Sequence, residues 1–234
     1  MNFPKSRVRW SKTYRMVMAH HPPIDIYDDL ASPHDWELLT QSVQRSNPRW
    51  AAGIGDPSLV PPDRILTGDG ASWVMGAFTH ASTDRPSRFT DGSFGVYYAG
   101  KDLETALREH SYHLGRFFKN TKEASGWKSE VRELVGSIDA ELTDVRGDGT
   151  ETLLDPLPEN YGPAQRFAAS LRDQGSDGIV YPSLRHEDGE CIAAFWPDVV
   201  MPPKQGDHYR YHWNGSAIDY VRKITGNREI YQLS

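Results

Sequence analysis

The sequence predicts an α+β fold with mixed, mostly antiparallel sheets and a few flanking helices. Two observations carry this. β-prone stretches outnumber helical ones, and the two kinds do not alternate in the regular β–α–β order of a doubly wound sheet. In addition, 234 residues with 38% hydrophobic content supply one sizeable core, and no stretch reads as a domain boundary. The chain is therefore read as one domain over 1–234. Residues 20–75 are an N-terminal elaboration on that domain, and residues 200–234 form a β-prone tail.

The elements follow in order. Residues 13–19 (TYRMVMA) are β-prone and read as a strand. After a Pro-rich turn, Ser32 reads as a helix N-cap, with Pro33 at the first helical position and Asp35 three residues on. Trp36, Leu39 and Val43 continue that helix to about Asn47-Pro48. Residues 51–72 are loop-like, and 73–79 (WVMGAFT) read as a strand or a short buried element. The stretch 94–99 (FGVYYA) is a strand by composition. Asp102 then caps a helix to about Phe118, with Leu103, Leu107, Leu114 and Phe118 as its apolar stripe. Two β-like stretches follow at 129–139 and 141–146. A helix over 162–174 stops at Gly175. Residues 178–182 (GIVYP) and 191–196 (CIAAFW) read as a hairpin, and the tail segments YRYHW and AIDYVRK are β-prone.

Charge and composition exclude several classes. The net charge is -6 and the pI about 5.8, so the chain lacks the basic footprint of a sequence-independent nucleic-acid binder. A single cysteine, Cys191, rules out an intramolecular disulfide and a Cys-rich metal site. The N-terminus has no apolar signal-peptide region, and no stretch approaches the ~18 apolar residues needed to span a bilayer. A cytoplasmic location is the simplest expectation. The P-loop, the dinucleotide-binding glycine fingerprint, the HExxH zinc pattern and the GxSxG elbow are all absent.

Three polar features remain. Arg88 lies in the loop before the strand 94–99, and its planar fork of donors suits phosphate or carboxylate. Glu109 lies beside the apolar stripe of the following helix, so its carboxylate is partly desolvated and must be paired or hydrogen-bonded. Ser183 closes the late strand, in Tyr181-Pro182-Ser183-Leu184-Arg185. Taken singly, Glu109 reads equally well as a boundary glutamate, whereas Arg88 and Ser183 read better as a surface arginine and a turn serine. Glu109 and His113 at helical spacing, His110 and His113, and His20-His21 are the only hints of a metal, and none reaches three or four converging ligands.

Taken together, the blocks SRFTDGSFGVYYAGKDLETALRE and GSDGIVYPSLRHEDGECIAAFWP resemble the RES domain, named for an arginine, a glutamate and a serine. The opening TYRMV resembles that family's first strand. The likeness covers residues 12–200, with 20–75 longer than in compact members. It implies an ADP-ribosyltransferase-like fold and a toxin of a toxin–antitoxin system. Its partner would be a helix-turn-helix antitoxin of the Xre type, and its substrate NAD. Carried over by residue, the catalytic set is Arg88, Glu109 and Ser183, and the NAD-binding set is Arg15, Arg88, Tyr98 and Ser183. No metal is implied.

In that chemistry Arg88 and Arg15 anchor the pyrophosphate, and Glu109 stabilises positive charge at the ribose. Tyr98 stacks on nicotinamide, with Tyr97 facing the other way, and Ser183 orients substrate or Arg88. ADP-ribose passes to phosphate, water or a protein side chain; Arg185 is a candidate second cation for phosphate. Direct nucleic-acid and membrane partners are not expected, and self-association stays open. The alternative is a non-catalytic RES-like module that binds a nucleotide or a partner.

Overall fold

A computed structural model describes residues 3–19, 28, 55–226 and 229–233. The helix expected after Ser32, and His20-His21, lie outside the described residues, as does most of the 20–75 elaboration. The strands are β1 (Lys5–Met18), β2 (Tyr97–Gly100), β3 (Gly126–Asp144), β4 (Gly178–Pro182), β5 (Glu190–Ala194), β6 (Val200–Trp213), β7 (Ile218–Lys223) and β8 (Ile230–Gln232). The helices are α1 (Ala71–Thr79), α2 (Leu103–Asn120) and α3 (Gly162–Asp173).

Among the described residues eight strands share one sheet in the order β1-β2-β5-β4-β3-β6-β7-β8, and β1 also pairs with β3. Five strands, β1-β2-β5-β4-β3, thus form a closed circuit of pairings, and β6, β7 and β8 extend it beyond β3. Only β3–β4 is parallel, so the sheet is mostly antiparallel as expected. The circuit closes narrowly between β1 and β2, at the single pair Tyr14↔Gly100.

Each helix covers its own part of the core. Val74, Met75 and Phe78 of α1 pack with Val8, Ile138 and Leu142. Ala164 and Ala168 of α3 pack with Ile179, Ala193 and Phe195. In α2, Leu107 and Phe118 are buried against Val131, Tyr209, Tyr211 and Trp213, with Leu103 and Leu114 flanking them, so the stripe legible in the sequence is the buried face. Asp102 caps α2 by accepting from the Thr105 N–H at 2.8 Å, which satisfies one of the donors a helix start leaves open. α3 ends before Gly175, whose φ of 79° is the left-handed conformation that favours glycine.

Three expectations change. WVMGAFT lies in a short, largely buried helix, so of the two readings the strand is discarded and the short buried element stands. The backbone N–H groups of Gly70 and Ser72 donate to the Asp28 carboxylate at 2.9 and 2.8 Å, so a distant acid caps α1. The two stretches around 129–139 and 141–146 are one strand, β3, which absorbs its irregularities as register shifts against β6. β1 starts well before Thr13. Its charged first half pairs with β3 from Lys5↔Thr143 to Trp10↔Ile138, and exposed ion pairs, Lys5–Glu141 at 3.4 Å and Arg7–Asp139 at 2.5 Å, lie across that ladder.

Candidate functional site

The narrow β1–β2 junction builds the site. α2 starts three residues after β2 ends, so its first turns lie over the middle of β1. A cleft of about 280 Å³ opens there, lined among others by Arg15, Arg88, Tyr98, Glu109, His113 and Tyr181. Three of the four residues expected to bind NAD therefore converge from β1, the loop before β2, and β2 itself, and Glu109 joins them from α2. Ser183 is not part of the lining.

Two arginines face this cleft without a carboxylate. Arg15 donates from Nη1 to the Tyr98 carbonyl at 3.0 Å, and its guanidinium lies 4.7 Å from the centre of the Tyr97 ring. Its Nε is buried and has no partner, and burial pushes its pKa down. Arg88 is only 9% exposed. Its Nη1 donates to the carbonyls of Leu153 and Asp155 at 3.3 and 2.7 Å, and Nη2 donates to the Tyr161 hydroxyl at 3.2 Å. The Tyr161 ring packs 4.3 Å from the guanidinium carbon. Among the described residues neither arginine forms an ion pair. A buried cation without a counter-charge is costly, and an anionic ligand removes that cost. Arg88 keeps Nε–H and one Nη2–H uncommitted for such a ligand.

Tyr98 and Tyr97 point to opposite faces, as strand alternation requires. Tyr97 is buried in the cluster under α1, whereas Tyr98 lines the cleft. The Tyr98 hydroxyl bonds Ser87 Oγ at 2.8 Å and accepts from the Phe89 N–H at 3.0 Å. Burial pushes its pKa up to about 12 against these bonds. The phenol therefore pins the loop that carries Arg88.

Ser183 serves Glu109. Its hydroxyl donates to Glu109 Oε1 at 2.6 Å, and the Leu184 N–H donates to the same oxygen at 3.2 Å. Ser183 Oγ in turn accepts from the N–H groups of Arg185 and His186, both at 3.1 Å. With its proton committed to a carboxylate and its lone pairs to two amides, this hydroxyl is a positioning group. It bonds Glu109, and no bond to Arg88 is formed. Glu109 Oε2 accepts no hydrogen bond among the described residues. The loop after β4 is tied down along successive turns of α2: His186 Nδ1 to Thr105 Oγ1 at 2.8 Å, Ser183 to Glu109, and Arg185 against the Tyr112 ring at 3.4 Å.

The remaining polar groups divide clearly. His110 is held neutral, its pKa lowered to about 3 by burial, and its Nδ1 is buried without a partner. Burial pushes the Cys191 thiol and the Tyr181 phenol well up, so both stay protonated. Arg185 donates to the Pro156 carbonyl at 2.6 Å and lines a neighbouring cavity of about 490 Å³ with Arg108, Arg116 and Lys119, not the cleft itself. Among the described residues no three His, Cys, Asp or Glu side chains gather to hold a metal ion. Likewise no described helix is long and apolar enough to cross a membrane.

Sequence reasoning missed the supports of Arg88. Tyr161 and the carbonyls of Leu153 and Asp155 come from a loop more than sixty residues away, and no local signal links them. His113, which helical spacing marks only as a metal-ligand candidate, lines the cleft beside Glu109.

A family model, the RES domain, matches residues 61–214. This chain belongs to the RES domain family. Arg88, Tyr98, Glu109 and Ser183 lie inside the matched stretch, and β1 brings Arg15 to the cleft from outside it. The chain is 27% identical over 215 residues to the uncharacterized protein y4oC of Sinorhizobium fredii (strain NBRC 101917 / NGR234), covering 89% of this chain and 85% of that protein. Among solved structures it is similar to a chain of the M. tuberculosis MbcT-MbcA toxin-antitoxin complex, at 12% identity and a TM-score of 0.40, covering 86% of this chain and 85% of that one.

Proposed function

We propose that this RES-domain protein is the toxin of a toxin–antitoxin pair and consumes NAD by cleaving the bond between nicotinamide and ribose. One observation carries the reading: two guanidiniums without counter-charges, Arg88 buried and Arg15 half-buried, line the same cleft as a single, braced carboxylate. Arg15 and Arg88 call for a ligand with two negative charges close together, which a pyrophosphate supplies. Glu109 supplies negative charge where the departing nicotinamide leaves a cation-like ribose, as in glycoside hydrolysis. Oε1 is fixed by Ser183 and the Leu184 amide, so Oε2 is the oxygen available to a ribose hydroxyl. Tyr98 offers a ring on the cleft wall against which nicotinamide packs.

The antitoxin is proposed to be a helix-turn-helix protein of the Xre type, on the strength of family membership. Incubation of the purified protein with NAD, with and without phosphate, tests the reading and identifies the acceptor. ADP-ribose-1-phosphate marks a phosphorylase, free ADP-ribose a hydrolase, and labelled protein a transferase. NAD recovered intact in every arm contradicts the proposal.

A further inference from the structure

Cleavage of the glycosidic bond by a protic acceptor leaves a proton to be removed, and most groups on the cleft are already occupied. Glu109 Oε1 is braced by Ser183 and Leu184 and its Oε2 is already assigned to a ribose hydroxyl, and Tyr98 is braced by Ser87 and Phe89. Arg15 and Arg88 are cations, half-buried His110 has its Nδ1 sealed off and is too weak a base with its pKa lowered to about 3, and burial keeps Tyr181 and Cys191 protonated. His113 differs from all of these. It lines the cleft with part of its side chain open to solvent, and among the described residues its ring nitrogens make no hydrogen bond. It stands four residues after Glu109 on α2, which puts the two side chains on one face, about 6 Å apart at their Cβ atoms.

We propose that His113 is the general base of this cleft, taking the proton from the hydroxyl group that attacks the ribose. The proposal rests on the NAD-cleaving reading above. With water as acceptor, its oxygen forms the new bond to the anomeric carbon. The carbon–nitrogen bond to nicotinamide breaks, and its electron pair neutralises the pyridinium ring. The proton lost by the water goes to the free imidazole nitrogen of His113 and then to solvent. The base must be neutral to act. Groups facing it are Glu109, His110, Tyr112 and Arg116 on α2, Arg88 before β2, and Arg185 after β4. Packing against the cleft wall, with the positive charges of Arg185, Arg88 and Arg116, pushes its pKa below the ordinary 6.5, and Glu109 opposes them. The neutral imidazole therefore prevails at neutral pH.

The test compares nicotinamide release by the wild-type protein, His113→Gln and His113→Ala across an acid-to-neutral pH series, with and without azide. Azide attacks carbon without giving up a proton, so it does not need a base. The expected result is a wild-type rate that falls on the acid side below pH 6.5. Both variants should lose turnover by at least about 10²-fold and lose that acid limb, with KM for NAD nearly unchanged. Azide should restore nicotinamide release in both, with an azido-ADP-ribose product. Wild-type turnover in both variants, or loss of turnover with a raised KM and no azide rescue, overturns the proposal while leaving NAD cleavage standing. A wild-type protein that releases no nicotinamide overturns both.

Discussion

Replacing Ser183 with alanine removes one hydroxyl and three hydrogen bonds. One of these is charge-assisted, to Glu109 Oε1 at 2.6 Å, and the other two leave the amides of Arg185 and His186 without an acceptor. A hydrogen bond to a charged group contributes about 1.5–3 kcal/mol. The amides are half-buried and water replaces part of what they lose, so about 2 kcal/mol is the expected net cost. For a domain of this size that lowers Tm by roughly 4–8 °C. The effect should be coupled to Glu109: in a Glu109→Ala background, Ser183→Ala should cost markedly less, with a coupling energy of about 1–3 kcal/mol from a double-mutant cycle measured by thermal or urea unfolding. Turnover of NAD by Ser183→Ala should fall by about 10–100-fold, the size expected when a catalytic group is misplaced and not removed. Additive stabilities would refute the bracing role. Unchanged stability with complete loss of turnover would instead make Ser183 a reacting group.

The half-buried guanidinium of Arg15, with its Nε sealed off and no carboxylate partner among the described residues, predicts that affinity and stability move in opposite directions. Arg15→Met should leave Tm unchanged or higher, because a costly buried charge is gone, while KM for NAD rises at least about tenfold; melting curves and initial rates check both. Asp144 is held down to about 2 from an ordinary 3.8, chiefly by its hydrogen bonds with Arg146, against burial. A carboxylate lowered in the folded state stabilises it above the unfolded pKa and ceases to do so as pH falls through the folded value. The Tm gap between wild type and Arg146→Leu should therefore be full above pH 3.8 and shrink toward about pH 2. A gap that does not change with pH would contradict this.

What was legible in the sequence was what is local. The α2 stripe, the Asp102 cap, the stop at Gly175 and the β4–β5 hairpin all rest on residues within a turn or two of one another. The α1 segment was not legible. WVMGAFT is an apolar run too short to separate helix from strand by period, and the acid that caps it stands more than forty residues upstream. The charged opening of β1 hid as well, because Lys5 and Arg7 find their partners on β3 and not in their own segment. In the site, Arg88, Glu109 and Ser183 each looked ordinary alone. Only the resemblance to the RES domain grouped them. The direction of the serine's hydrogen bond was not legible, since it spans 74 residues and depends on how the β4–β5 loop lies along α2.

The two arginines without carboxylate partners and the braced carboxylate are the groups that must act on NAD. The direct measurement is nicotinamide release from NAD by the wild-type protein, Arg88→Ala and Glu109→Ala under one set of conditions, with folding of each variant checked by circular dichroism. The wild type should release nicotinamide steadily, and both folded variants should be slower by at least about 10²-fold, the size of losing one preorganised electrostatic contact. Release at the wild-type rate by either folded variant would contradict the site.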